Sequence, residues 1–243
     1  MAERKIVVPG ESIISGEDYL PGNGTRREDE DIIASKFGLV DISDRLIKVI
    51  PLSGRYVPRR GNTIIGQIVD YNMKGWMIDF GNTSKGFLPV SEVPWYINKN
   101  ELLEHFDFGD VIVAKVDSVG GRGIDLTIKV KGCGKVEEGI LIDINPHKVP
   151  RVIGKEGSMI TTVKEMSGCT ITVGQNGVIW LKGDDIESEL KAKKIIEFIS
   201  ENSYVDGLTE KVKEFAEGLG KSKSKKTEKA EESEEKPAKK EKI

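Results

Sequence analysis

The stretch Val152-Ile153-Gly154-Lys155-Glu156-Gly157-Ser158-Met159-Ile160 sets two glycines three residues apart, around a lysine and a glutamate, between two short apolar helical patterns. Glycine lets a backbone approach a sugar-phosphate chain where a Cβ would collide, and Lys155 adds a positive charge. The chemistry on offer is the clamping of a nucleic-acid backbone, single-stranded RNA above all. Bond-breaking chemistry has no comparable foothold. His105 and His147 stand alone, Cys133 and Cys169 lack metal-ligand or disulfide spacing, and no nucleophile with a base or paired carboxylates stands out. No catalytic residue, metal site or cofactor is therefore expected. The same glycine spacing starts at Gly120, Gly154 and Gly174, about as often as a chain with 27 glycines in 243 residues produces by chance. The elements around each match must decide which one is a clamp.

Around Gly154 the pattern is strand, two helices, two strands, helix. Residues 138 to 145 alternate with Ile140, Ile142 and Ile144 on one face. Pro146 suits the start of a helical segment that runs to Ile153, and beyond the glycine turn Met159, Val163 and Met166 recur at helical spacing until Gly168. Ile171 and Val173, then Val178 and Trp180, define two strands around Gly174 to Gly177, where Asn176-Gly177 is a hairpin turn. Ala192, Ile195, Ile196 and Ile199 form the stripe of a last helix.

In this order and in the run from Ile144 to Ile160, residues 137 to 202 resemble a type I KH domain (βααββα). The resemblance implies that the loop Gly154, Lys155, Glu156, Gly157 grips the backbone of about four nucleotides, with Ile153, Ile160 and Ile171 as walls of the base groove. Glu156 stands where a neutral or basic residue is usual and repels phosphate.

Upstream, residues 61 to 131 hold five strand patterns, at Gly61–Tyr71, Trp76–Phe80, Gly86–Val90, Asp110–Val116 and Gly123–Lys129, the count of a small Greek-key barrel of the OB type. Gly66 to Tyr71, Gly75 to Ile78 and Lys85 to Glu92 resemble the S1 RNA-binding domain. That likeness implies base stacking on Tyr71, Trp76 and Phe87 and phosphate contacts from Arg122 and Lys129, while Pro89 replaces a histidine usual in that family. Gly120 to Gly123 reads as the loop between the last two strands.

Residues 1 to 60 read as a small N-terminal β domain, with strand patterns at Ile6–Glu11, Ile32–Ser35, Phe37–Ile42 and Leu46–Pro51. Its core looks thin, which suggests docking on a partner. Leu20 to Arg27 reads as a loop whose Arg26 and Arg27 are candidate RNA or partner contacts. Residues 203 to 220 form a C-terminal helix with Val212, Phe215, Ala216 and Leu219 on one stripe, and 221 to 243, with nine Lys and six Glu, are expected to be a disordered tail. Fold class is therefore mainly β with an α+β portion. With 37 Lys and Arg against 40 Asp and Glu, the net charge of −3 excludes a protein that coats nucleic acid by bulk attraction. The chain shows no membrane-length apolar run or secretory leader, so a cytoplasmic protein is expected.

The order of modules, N-terminal β domain, S1, one KH domain, resembles the S1 plus KH cap subunits of the archaeal exosome. The resemblance implies a non-catalytic subunit. Three such caps would sit as a trimer on a hexameric ring of RNase PH-like subunits, raise affinity for single-stranded RNA and feed it to phosphorolytic 3′ to 5′ degradation. The alternative is an S1/KH transcription or translation factor not attached to a nuclease ring. Polynucleotide phosphorylase ends in the same two modules, but its catalytic core does not fit in a chain of this length.

Overall fold

The computed structural model describes residues 5–97, 102–121, 123–203 and 207–218. Arg122, Leu219 and the charged segment 221–243 lie outside the described residues.

The N-terminal module packs two small sheets face to face. Its strands are Ile6–Val7 (β1), Ser12–Ser15 (β2), Leu20–Pro21 (β3), Thr25–Glu28 (β4), Asp31–Ala34 (β5), Gly38–Ser43 (β6) and Leu46–Pro51 (β7). One sheet runs β1-β6-β7-β3 and the other β2-β5-β4. Val7, Ile32, Ala34, Val40, Ile47 and Val49 close the core between them. Strand alternation then sends the opposite set outward. Ile6 pairs with Leu39 and Leu39 with Ile50, Leu20 pairs with Leu46, and directly paired residues share a face. Ile6, Leu20, Leu46 and Ile50 are all exposed there.

The second module is a closed five-stranded barrel. Thr63–Asn72 (β8), Gly75–Asp79 (β9), Gly86–Pro89 (β10), Val111–Gly120 (β11) and Gly123–Thr127 (β12) follow one another around it in the order β12-β10-β9-β8-β11, and β11 pairs with β12 to complete the ring. A short helix, Leu102–His105 (α1), precedes β11, and Gly134–Val136 (β13) adds to the outer edge of β11. The interior is filled by Ile64, Ile68, Trp76, Ile78, Leu88, Ile112, Val116 and Leu126 among others. Filling of this kind makes the barrel a packed core with no channel.

One stretch of barrel wall is completed from far along the chain. β9 begins to pair with β8 at Gln67, which leaves the edge of β8 at residues 63–65 uncovered on that side. The turn at Gly174–Gly177 covers it. Gln175 donates its backbone N–H to the Thr63 carbonyl at 2.8 Å and accepts the Thr63 N–H at its side-chain oxygen. Asn176 accepts the Ile65 N–H at 3.2 Å and donates from Nδ2 to the carbonyls of Ile65 at 2.8 Å and Phe80 at 3.0 Å. Its side chain is buried. Gly174 is required because a Cβ there would meet the Ile65 nitrogen at 3.1 Å and the Asn176 oxygen at 2.4 Å.

The remaining elements are Ile140–Asp143 (β14), Val149–Ile153 (α2), Ser158–Ser167 (α3), Thr170–Val173 (β15), Val178–Lys182 (β16) and Ile186–Glu201 (α4), with the strands ordered β14-β16-β15. This is the βααββα order read from the sequence. The chain divides into two compact units, one running through Pro150 with Val173–Trp180 added, the other holding Arg151–Thr172 and the chain from Leu181 onward. In the second unit, Met159 and Val163 of α3 and Ala192, Ile195, Ile196 and Ile199 of α4 are buried. Lys191 donates to the Met166 carbonyl at 2.6 Å. Residues 208–218 are helical, bury Val212 and Ala216, and stack Phe215 on Phe198 with centroids 4.3 Å apart.

Replacing Asn176 by Ala leaves the Ile65 amide and the carbonyls of Ile65 and Phe80 buried and unpaired, which is expected to cost about 2–4 kcal/mol. Urea denaturation followed by tryptophan fluorescence checks it, and Asn176→Asp should fare no better because its carboxylate faces two carbonyl oxygens without a donor.

Candidate nucleic-acid interface

The glycine-bracketed loop is built as a break between helices. α2 ends at Ile153, Gly154 leaves helical geometry at φ 76° and ψ 177°, and a single turn over Lys155–Gly157 leads into α3. Glu156 sits in left-handed space at φ 54°, as does Gly157 at φ 80°. For Glu156 that conformation costs roughly 1–2 kcal/mol and must be compensated by the helices that frame the loop. The two glycines do different jobs. A Cβ on Gly154 would lie 2.6 Å from the Met159 Cβ and 2.7 Å from its nitrogen, so Gly154 is where α3 packs against the incoming chain. A Cβ on Gly157 would meet nothing within 4 Å, so its side faces open space. The Lys155 and Glu156 side chains are exposed.

Beside this loop Ile153 and Ile160 are half-buried, whereas Ile171 is 3% exposed. The first two have surface left to offer a base. Ile171 does not, because β15 turns it inward, and its assignment as a groove wall is corrected to core packing.

The barrel candidates are not brought together. Tyr71 is exposed, at 37%, while Trp76 is fully buried, its ring edge-to-face with Phe106 at 5.1 Å. Trp76 is therefore core rather than a stacking platform, and its indole N–H is enclosed without a hydrogen-bond partner. A bulge between Ile68 and Asp70 of β8 shifts the register so that Tyr71 pairs with Trp76, which puts both on the inward face, with Tyr71 at the barrel mouth. Phe87 pairs with Met77 and Asp125 on the outer wall and is half-buried. Lys129 is exposed but faces Glu92 at 3.5 Å. Sequence reading missed Phe108, which is 54% exposed and meets Tyr71 edge-on at 5.3 Å. Its position next to Gly109 in a connecting segment carries no periodic signal.

Arg26 and Arg27 lie on strand β4 rather than in a loop. Arg26 pairs with the exposed Glu28. Arg27 is committed to structure: its guanidinium donates to the carbonyls of Gly16, Glu17 and Tyr19, closing the turn after β2. Among the described residues no group of three or more His, Cys, Asp or Glu could hold a metal ion, and no helix is long and apolar enough to cross a membrane.

A βααββα module whose exposed glycine loop joins two helices, together with a small closed barrel, defines the class of KH and OB modules, which recurs in proteins that handle single-stranded nucleic acid. The KH family model matches residues 139–187, and the model of the exosome complex exonuclease RRP4 N-terminal region matches residues 6–43. The exosome complex component Rrp4 of Methanothermus fervidus is 44% identical over 214 residues, covering 88% of this chain and 95% of its own. That of Thermococcus kodakarensis is 42% identical, covering 87% and 84%. A crystal structure described as an exosome complex RNA-binding protein superposes with a TM-score of 0.62 at 32% identity, over 70% of this chain and 99% of its own. The chain belongs to the Rrp4 family of exosome complex components.

Two substitutions separate fold from surface. Trp76→Ala should cost about 3–5 kcal/mol and broaden or abolish the cooperative melt of the barrel. Gly154→Ala should lower the melting temperature more than Gly157→Ala, since only the first collides with α3; thermal denaturation followed by circular dichroism checks both.

Proposed function

We propose that the chain is a non-catalytic, cytoplasmic RNA-binding subunit of an archaeal exosome. It holds single-stranded RNA and presents it to a phosphorolytic ring of RNase PH-like subunits for 3′ to 5′ degradation, with three copies forming a trimeric cap. The observation that carries the reading is the open Gly154–Gly157 loop, with Lys155 outward and two half-buried isoleucines beside it, in a chain of Rrp4 type. The loop can approach phosphate, and Ile153 and Ile160 can face bases. Glu156 keeps the single site weak, a weakness that several copies on one assembly offset through effective concentration.

The N-terminal module supports attachment to a partner. The outer face of the β1-β6-β7-β3 sheet exposes Ile6, Leu20, Leu46 and Ile50 around the Asp41–Lys48 ion pair, an apolar face with a polar centre that a ring subunit would cover. Association with the ring is what turns RNA binding into degradation, since the residues that this chain exposes hold RNA and none of them is assigned to cleave it.

Lys155→Asp combined with Glu156→Asp keeps both glycines and should leave the melting temperature unchanged while weakening binding of a short unstructured RNA about tenfold, measured by fluorescence anisotropy at fixed salt. Unchanged affinity would remove the loop from the interface. Ile50→Glu should abolish co-purification with the ring subunits without unfolding the chain, and phosphate-dependent release of nucleoside diphosphates by the purified chain alone would sink the non-catalytic assignment.

A further inference from the structure

The exposed aromatic residues of this protein are concentrated in one place. Of the five Phe, Tyr and Trp that are strongly exposed among the described residues, Phe37 lies in the N-terminal module, and Tyr71, Trp95, Tyr96 and Phe108 lie in the barrel. Strand directions show that these four share one end. β8 and β10 finish there, and β9 and β11 start there, because β9 and β11 are antiparallel to β8 and β10 is antiparallel to β9. It is the end opposite the one that Asn176 holds. The rings are also physically linked. Trp95 lies 6.1 Å from Phe106, Phe106 lies 5.1 Å from Trp76, Trp76 pairs in register with Tyr71, and Tyr71 meets Phe108 at 5.3 Å. Buried rings thus support exposed ones. Tyr96, next to Trp95, is 88% exposed.

The charges on this end decide how a polyanion could use it. β12 runs parallel to β10 and so also finishes at this end. On residues 70–75, 90–97, 102–110 and 128–131, Glu92 is paired with Lys129 and Asp110 with Lys135, which leaves Asp70, Glu104 and Asp107 against Lys74 and Lys131. Such a rim offers phosphate no net attraction. It does not repel a base, which is uncharged and flat, and each base stacked on an aromatic ring contributes roughly 1–3 kcal/mol. Among the described side chains here, Met73 at the β8–β9 turn and Val130 after β12 are the exposed aliphatic ones, so rings outnumber aliphatic anchors at this end.

We propose that Trp95, Tyr96 and Phe108, continuous with Tyr71, form a second RNA contact in which bases stack on the barrel end with their phosphates turned outward to solvent. This rests on the reading that the chain binds single-stranded RNA. It separates the two modules by mechanism: the Gly154–Gly157 loop engages backbone and the barrel end engages bases. Phe108 and Trp95 take the part that Trp76 cannot play from inside the core.

Anisotropy titrations of a short unstructured RNA against the full chain, repeated over a series of salt concentrations, test it. Tyr96→Ala and Phe108→Ala should each weaken binding about fivefold or more at every salt concentration and leave the slope of log Kd against log salt unchanged, because no phosphate contact is lost. Thermal melts of the variants should match the parent chain. If both variants bind as the parent does while the Lys155→Asp, Glu156→Asp variant loses affinity, the chain binds RNA and the stacking end is wrong. If the parent chain binds no RNA, the stacking proposal falls together with the RNA-binding reading. Unchanged RNA affinity with loss of ring co-purification would make this end a protein-docking surface and overturn the proposal.

Discussion

Five hydrogen bonds around Asn176 and Gln175 finish a barrel that its own strands leave incomplete. β8 is the longest wall strand together with β11, and its first residues have no partner on the β9 side. An amide side chain carries one acceptor and two donors, which is what the unpaired Ile65 N–H and the carbonyls of Ile65 and Phe80 demand. No apolar or carboxylate side chain could satisfy that set. Everything the barrel presents at its far end, including the exposed rings, stands on a wall whose hydrogen bonding is completed here.

The three glycine pairs in the chain show one physical capability put to three uses. Gly120 and Gly123 pair with each other across β11 and β12 and simply close a hairpin. Gly174 and Gly177 permit close approach as well, but the backbone they approach is the protein's own: a Cβ on Gly177 would meet the Ile144 carbonyl at 2.3 Å. At Gly154 and Gly157 the requirements divide, one glycine facing α3 and the other facing outward. Spacing alone does not tell these cases apart. The tertiary neighbour of each missing Cβ does.

Much of this architecture was legible in the sequence, because alternation and helical stripes report burial directly. The βααββα order, the five barrel strands and the terminal helix stripe all follow from it. The short strands β2, β3 and β4 did not, since two to four residues carry too little periodicity and β4 is mostly charged, held in place by pairing with β5. Side assignment in the barrel failed for a different reason. A bulge between Ile68 and Asp70 exchanges inner and outer faces along β8, which a period-two pattern does not mark. The S1 resemblance assigns Trp76 to stacking although its alternation with Ile78 on β9 puts it inside, and Phe108 lies in a connecting segment that has no period at all. Arg27 misled in a third way: an arginine beside Pro-Gly-Asn-Gly reads as a loop charge, and only the three carbonyls that converge on it reveal a fastener.

The distance in chain between the barrel wall and its closing residue sets a schedule for biosynthesis. Ile65 and Asn176 are separated by 111 positions. At about 5–20 residues per second, roughly 5–20 s of translation pass between emergence of the strand and arrival of its partner. During that interval the nascent barrel carries a raw edge, the kind of surface on which neighbouring chains on a polysome can add a strand.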